Sequence, residues 1–323
     1  MLVTVLTVMC SCIDGDNDMR LPNEDTRAKY MQEFVEKISN HAKANTERPR
    51  FFIIPQNGVE LVYNYTDPDD GFRISYINAI DGIGIEDLFY DDDGDLNTDS
   101  DDDRIDMLRE IKLKYPDIQI MVSDHVNDDS NIGNAESLSD TESFISFPRS
   151  KSNYHYQYIP GRAVNGLNTN NIEYLSQAKN YLYLISTDYY GSKQAMLDEI
   201  MGTNYDVVLI DLFFNRAPLD STDIAQLRVK DNGGKRLVIA YISIGSAENY
   251  RYYWQQGWRK GNPSWLYKNY DGWTDEIWVM YWENEWQNII LNASDSYINR
   301  IINAGFDGVY LDNVEAYYFL AND

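Results

Sequence analysis

The 323-residue sequence predicts an α/β protein built as an eight-stranded (β/α)8 TIM barrel. Three observations point there. Eight short apolar runs are mostly separated by stretches of helical spacing, the pattern of parallel strands covered on both faces. The length suits one barrel of about 250 residues with additions. No GxGxxG or Walker loop follows any strand, which argues against a doubly wound nucleotide-binding sheet.

The elements follow in order. Residues 26–44 place Tyr30, Phe34, Val35 and Ile38 on one helical face. FFIIP (51–55) reads as a buried strand halted by Pro55. Apolar runs follow within 77–90 and at 118–124, with a helix between them aligning Ile105, Leu108 and Ile111. The stretch 127–153 is polar and carries no such run. Strands recur at 181–186, 206–214, 236–245, 276–282 and 306–312, with helical patterns at 193–201 and 286–304.

Composition narrows the function. A net charge of −25 leaves no basic footprint for nucleic acid. The 26 Tyr and 7 Trp suit an uncharged or cationic ligand such as carbohydrate. Cys10 and Cys12 are the only cysteines, so disulfides and Cys-based zinc sites are excluded from the fold. With three His, a histidine-rich metal centre is disfavoured too. Carboxylates must therefore carry the chemistry. The apolar run Leu2–Met9 is too short to span a bilayer but fits a secretory signal. Cys12, after Ser11 and before an acidic stretch, resembles a bacterial lipoprotein processing site. These features predict a leader and acidic linker over 1–22, one barrel over 23–323, and a secreted or cell-envelope lipoprotein of a bacterium. The membrane is then reached only through a lipid anchor at Cys12.

In the acidic run 91–106, Asp95, Asn97, Asp99, Asp101, Asp103 and Asp106 fall at EF-hand-like loop positions 1, 3, 5, 7, 9 and 12. Ser100 stands where the motif needs Gly, and Asp106 where it prefers Glu. A solvated loop of like charges is the plainer reading, with structural calcium second. No other cofactor is required.

Longer strings carry a family resemblance. YISIGSAENYRYYW (241–254), NPSWL (262–266), VMYWENEWQ (279–287) and GFDGVYLDNVEAY (305–317) resemble the bacterial branch of glycoside hydrolase family 114. Its members are endo-α-1,4-polygalactosaminidase-like TIM-barrel proteins. FFIIPQNGVEL (51–61) and INAIDGIGIEDLFY (77–90) resemble later strands of the same family. The order is exchanged: 178–323 resembles the family's N-terminal half, 23–126 its C-terminal half, and 127–177 joins them. A circular permutation explains this, because barrel closure brings first and last strands together. In family order, strand 206–212 is then second and strand 51–55 sixth.

In such a barrel, reacting groups sit at the C-terminal ends of strands. Those ends carry Asp211, Glu248, Tyr281, Asp312, Glu315, Gln56, Asn57 and Glu86. Carboxylates around one mouth fit glycoside hydrolysis, which needs one protonated and one ionised carboxyl. The resemblance aligns Glu248 and Asp312 with acidic positions of the family, and Asp211 is a third catalytic candidate. A helix-capping role for Glu248 and a buried structural role for Asp312 are the plainer alternatives. Tyr250, Arg251, Tyr281, Trp282, Tyr310, Glu315, Gln56, Asn57 and Glu86 are the substrate-binding candidates, whereas Trp278 and Trp286 read as packing residues. The family's polygalactosaminidases carry an acid two residues before Asp312, and here that position is Tyr310. The expected function is cleavage of an extracellular polysaccharide or oligosaccharide containing amino sugars. The alternative, favoured by Tyr310, is a carbohydrate-binding barrel that has lost its donor acid.

Overall fold

The computed structural model describes residues 21–46, 50–97 and 103–321. The expected leader with Cys12 lies outside the described residues, as do Asp99 and Asp101 of the acidic run. Helix α1 (Glu24–Asn45) opens the fold. Asn23 caps it by accepting the Thr26 N–H at 3.0 Å, and Glu24 and Asp25 sit at the positive end of its dipole. Phe34, Val35 and Ile38 are buried as their spacing predicts, while Tyr30 is only partly covered.

The strands are β1 (Phe52–Pro55), β2 (Gly82–Glu86), β3 (Gln119–Ser123), β4 (Ile145–Ser146), β5 (Tyr181–Leu184), β6 (Val207–Asp211), β7 (Leu237–Ser243), β8 (Ser246–Glu248), β9 (Leu266–Asn269), β10 (Glu276–Val279) and β11 (Gly308–Asp312). One parallel sheet has the order β1-β11-β7-β6-β5 and another the order β2-β3-β4. A parallel bridge between Gln56 and Gly84 joins them, with Asn57 N–H donating to the Gly84 carbonyl at 2.7 Å. The eight parallel strands thus follow chain order once β11 is placed before β1. Between β4 and β5 no ladder forms among the described residues, but rings cross that line. Phe147 meets Tyr181 at 5.9 Å, Tyr156 stacks on Tyr183 at 3.8 Å, and the Tyr181 hydroxyl donates to the Val122 carbonyl at 2.8 Å. The architecture is mixed α/β, with helices including α2 (Asp103–Lys114), α3 (Ile132–Thr141), α4 (Lys193–Met201), α5 (Ser221–Leu227) and α6 (Tyr297–Ala304) between strands.

Close packing on the inner face depends on Gly84. A Cβ there would lie 1.9 Å from the Tyr310 hydroxyl, so no larger residue fits while that ring holds its place. Helix α1 lies where a crossover from β11 to β1 belongs. Arg27 donates from Nε to the Tyr317 carbonyl at 2.6 Å, and Phe52 pairs with Gly308 in register.

Four expectations are corrected. The run at 276–282 is not a parallel strand, because β10 pairs antiparallel with β8 and β9. The missing parallel strand is β4, inside the segment read as polar. Its pairing is interrupted at Pro148 and resumes at Arg149–Ser150. As a result, counting from β5 along the bonded order makes β1 fifth rather than sixth. The helix expected over 286–304 is broken: a π turn at Asn288–Asn292 intervenes, and α6 restarts after its Ser296 cap. Among the described residues no helix is long and apolar enough to cross a membrane.

Candidate active site

Parallel register brings the strand ends to one level. Asp211 on β6 lies beside Tyr241 on β7, and Ser243 on β7 beside Asp312 on β11. Immediately after β7 the chain turns through Gly245, where a Cβ would meet the Asn313 carbonyl at 1.9 Å. It then forms the antiparallel pair β8/β10, which sets Glu248 directly opposite Glu276. These ends line a cleft of about 710 Å³. Asp312, Glu248, Asp211, Tyr250, Arg251, Glu315, Gln56, Asn57 and Glu86 all border it, as the strand-end reading predicts.

Arg251 organises one wall. Its guanidinium donates from Nε to Glu248 Oε2 at 2.6 Å and from Nη2 to Glu248 Oε1 at 2.8 Å. Nη1 reaches Asp211 Oδ2 at 2.7 Å. All three side chains are buried, so one cation holds two carboxylates through the planar fork that suits Arg. Tyr250 adds its hydroxyl to Glu248. Burial still pushes the Asp211 carboxyl above its ordinary range, with Arg251 opposing.

Among the described residues no cation pairs with Asp312. It accepts hydrogen bonds from the Tyr241 hydroxyl and, at 2.7 Å, from the Asn313 N–H. Burial, reinforced by the charges of Glu86 and Glu248, pushes its carboxyl up to about 7. Glu276 accepts the Ser246 hydroxyl at 2.6 Å, and burial followed by the charge of Glu248 pushes it up to about 8. Burial, with Glu86 adding, pushes Asp87 up to about 7, and burial with Glu60 does the same to Glu315. Glu86 itself accepts the Tyr156 hydroxyl at 2.6 Å and faces Arg149 at 3.4 Å. Five non-glycine residues with positive φ border this cleft: Asn57, Asp87, Tyr156, Asn215 and Asn313. Backbone held in such conformations concentrates at functional sites.

Three candidates lie elsewhere. Tyr310 is fully buried with no partner for its hydroxyl among the described residues, one layer below Asp312 on the same face of β11. Tyr281 is buried and donates to the Arg27 carbonyl at 2.6 Å. Trp282 packs on Tyr30 at 5.7 Å, in the helix layer. In the other direction, Trp278 borders the cleft while stacking on Tyr270 at 4.2 Å, so it is more than packing. The sequence reading missed Glu276, Tyr241 and Arg149, whereas Trp273, which borders the cleft, belongs to the aromatic cluster it read as a possible sugar-stacking surface. Glu276 had a signal: it is two residues before Trp278 and shares its strand face.

Of the acidic run, Asp106 sits on α2 and accepts Arg109 Nη1 at 2.9 Å. Asp95 donates its N–H to Asp91 and Asn97 reaches the Leu88 carbonyl at 3.5 Å. Among the described residues no group of His, Cys, Asp or Glu is arranged to hold a metal ion.

Residues 168–323 match the sequence model of glycoside-hydrolase family GH114. That segment is similar to GH114. It contains β5, β6, β7 and β11, and therefore Asp211, Glu248, Arg251, Glu276 and Asp312. The chain is 37% identical over 127 residues to an uncharacterised protein of Deinococcus radiodurans, covering 39% of each. It is 35% identical over 156 residues to an uncharacterised protein of Methanocaldococcus jannaschii, covering 48% of this chain and 43% of that one. A Thermotoga maritima protein is 30% identical over 125 residues, with 39% and 37% covered. The chain thus spans about two-fifths of these relatives. The match places Asp211, Glu248, Arg251, Glu276 and Asp312 inside a segment similar to a glycoside-hydrolase family.

Proposed function

We propose that the eight parallel strands form one closed, circularly permuted (β/α)8 barrel over 23–323, whose cleft hydrolyses an extracellular polysaccharide containing amino sugars. The consecutive strand order, the rings crossing between β4 and β5, and the placement of α1 between β11 and β1 support the barrel. Nine carboxylate residues and three arginines border the cleft, a balance that favours a cationic sugar such as free galactosamine.

The observation that carries hydrolysis is the contrast within one wall. Glu248 and Asp211 are bound to Arg251, whereas among the described residues Asp312 has only neutral hydrogen-bond donors and is held near 7. Environments that separate carboxyls in this way assign acid and base roles. In this scheme Asp312 is the carboxylate that works on the sugar's anomeric carbon, directly or through water. Glu248 and Asp211, each paired with Arg251, stabilise the positive charge that develops on the sugar ring. Tyr250, Arg251, Glu315, Gln56, Asn57 and Glu86 contact or orient the substrate. We place the protein outside the cytoplasm with a lipid at Cys12, which metabolic labelling with a radioactive fatty acid and a Cys12→Ser control tests.

The position of Tyr310 supports the second reading, a carbohydrate-binding barrel, because no acid stands there. A polysaccharide panel decides between the two. Reducing ends released from α-1,4-linked polygalactosamine, and not by Asp312→Asn, support hydrolysis. Retention of the polymer without cleavage supports the binding barrel.

A further inference from the structure

The hydrolytic scheme needs a proton donor on the leaving-group side, and the oxygens of Glu248 and Asp211 are engaged by Arg251. The β8/β10 pair offers another group. Glu248 and Glu276 are directly opposed across an antiparallel ladder, so their side chains leave the same face about 5 Å apart at Cβ. Both border the cleft. Their surroundings are opposite: Glu248 has both oxygens on Arg251, while among the described residues Glu276 has one hydroxyl partner and no cation.

A hydrogen-bonded path ties Glu276 to Asp312. Glu276 Oε2 accepts from Ser246 Oγ at 2.6 Å, Ser246 Oγ accepts from Asn313 Nδ2 at 3.1 Å, and the same Nδ2 reaches Asp312 Oδ2 at 3.4 Å. Links of that length keep Glu276 Oε2 and Asp312 Oδ2 within about 9 Å, inside the upper limit for carboxyl pairs of glycosidases, about 9.5 Å. Asn313 holds the middle of the path at φ 62°, a conformation Asn tolerates better than most residues.

We propose that Glu276 is the proton donor to the glycosidic oxygen in this cleft, a role reached from β10 rather than from the strand position occupied by Tyr310. This rests on the hydrolase reading above. The bond between the anomeric carbon and the leaving oxygen breaks as that oxygen takes the Glu276 proton. One water supplies the oxygen that bonds to the anomeric carbon, and its released proton resets the carboxyl pair. The protonation states agree with these roles: Glu276 keeps its proton up to about pH 8 and Asp312 loses its own above about 7.

The test uses the full chain with two probes, α-1,4-linked polygalactosamine and a 2,4-dinitrophenyl α-galactosaminide whose leaving group needs no proton. The Glu276→Gln variant slows polymer cleavage by about 10²–10⁴-fold and the dinitrophenyl substrate by less than about tenfold. It also removes the alkaline limb of the polymer pH profile. Oligosaccharide binding by titration, unchanged in Glu276→Gln, shows that the fold persists, and Glu276→Asp recovers part of the polymer rate. Polymer cleavage by Glu276→Gln within a few-fold of wild type overturns the donor role alone. Equal loss on both substrates does so as well. A wild type that cleaves neither probe overturns the hydrolase reading, and the donor role falls with it.

Discussion

Replacing Arg251 by Met probes the wall most directly. The side chain is buried and its guanidinium bridges Glu248 and Asp211 at 2.6–2.9 Å. Met matches its apolar stem but leaves two carboxylates without their cation. Removing one partner of a buried ion pair costs about 3–5 kcal/mol, and here two partners are stranded. At about 1.4 kcal/mol per tenfold, the folded-to-unfolded ratio drops by roughly 10²–10⁴. The loss depends on pH in a fixed direction. With the cation gone, the folded protein relieves the site by binding protons, so the deficit is small near pH 4 and largest at pH 8. Urea unfolding followed by tryptophan fluorescence at pH 5 and pH 8 measures it. The triple change Arg251→Met, Asp211→Asn, Glu248→Gln removes all three charges together and recovers most of the loss. A deficit under about 1 kcal/mol at pH 8, or one equal at both pH values, refutes the idea that Arg251 neutralises this wall.

Three other outcomes follow. Asp312→Asn stabilises the fold by an amount that grows from about pH 4 to about pH 7 and then levels off, at most about 4 kcal/mol. The native carboxyl contributes fully below its unfolded value near 4 and its contribution is lost as pH rises to about 7, so a gain present equally at pH 4 in thermal melts would contradict it. Gly84→Ala, whose Cβ meets the Tyr310 ring at 1.9–2.5 Å, costs about 1–3 kcal/mol. Adding Tyr310→Leu returns part of that stability, and additive losses in chemical unfolding would disprove the clash. Trp273, 44% exposed at the cleft and edge-on to His155 at 5.5 Å, is proposed as a stacking face for a sugar ring. Trp273→Ala raises KM about 2–10-fold with kcat unchanged, whereas a fall in kcat alone would place it in the chemistry.

The legible part of the fold is the part buried on both faces. VVLID in β6, LVIAYIS in β7 and GVYLD in β11 are continuous apolar runs that end in polar residues, and nothing else explains such runs. β4 was invisible because only two residues pair before Pro148 interrupts the ladder. β10 misled because an apolar run does not reveal whether its neighbours run parallel or antiparallel. Strand ends located Asp211, Glu248 and Asp312 because register levels them at one rim. Tyr310 was singled out by the family position two residues before Asp312, and two residues along a strand keep the face but change the depth. Glu276 escaped because its position depends on a cross-strand partner, which local pattern does not specify.

The central claim is that Asp312 is the reacting carboxylate of a polysaccharide hydrolase. The most direct measurement is the initial rate of reducing-end release from α-1,4-linked polygalactosamine by wild type and Asp312→Asn at pH 7.5, with polymer binding recorded for both. The account predicts measurable cleavage by wild type, a loss of at least about 10³-fold in Asp312→Asn, and binding retained in each. Cleavage by Asp312→Asn at the wild-type rate would contradict it.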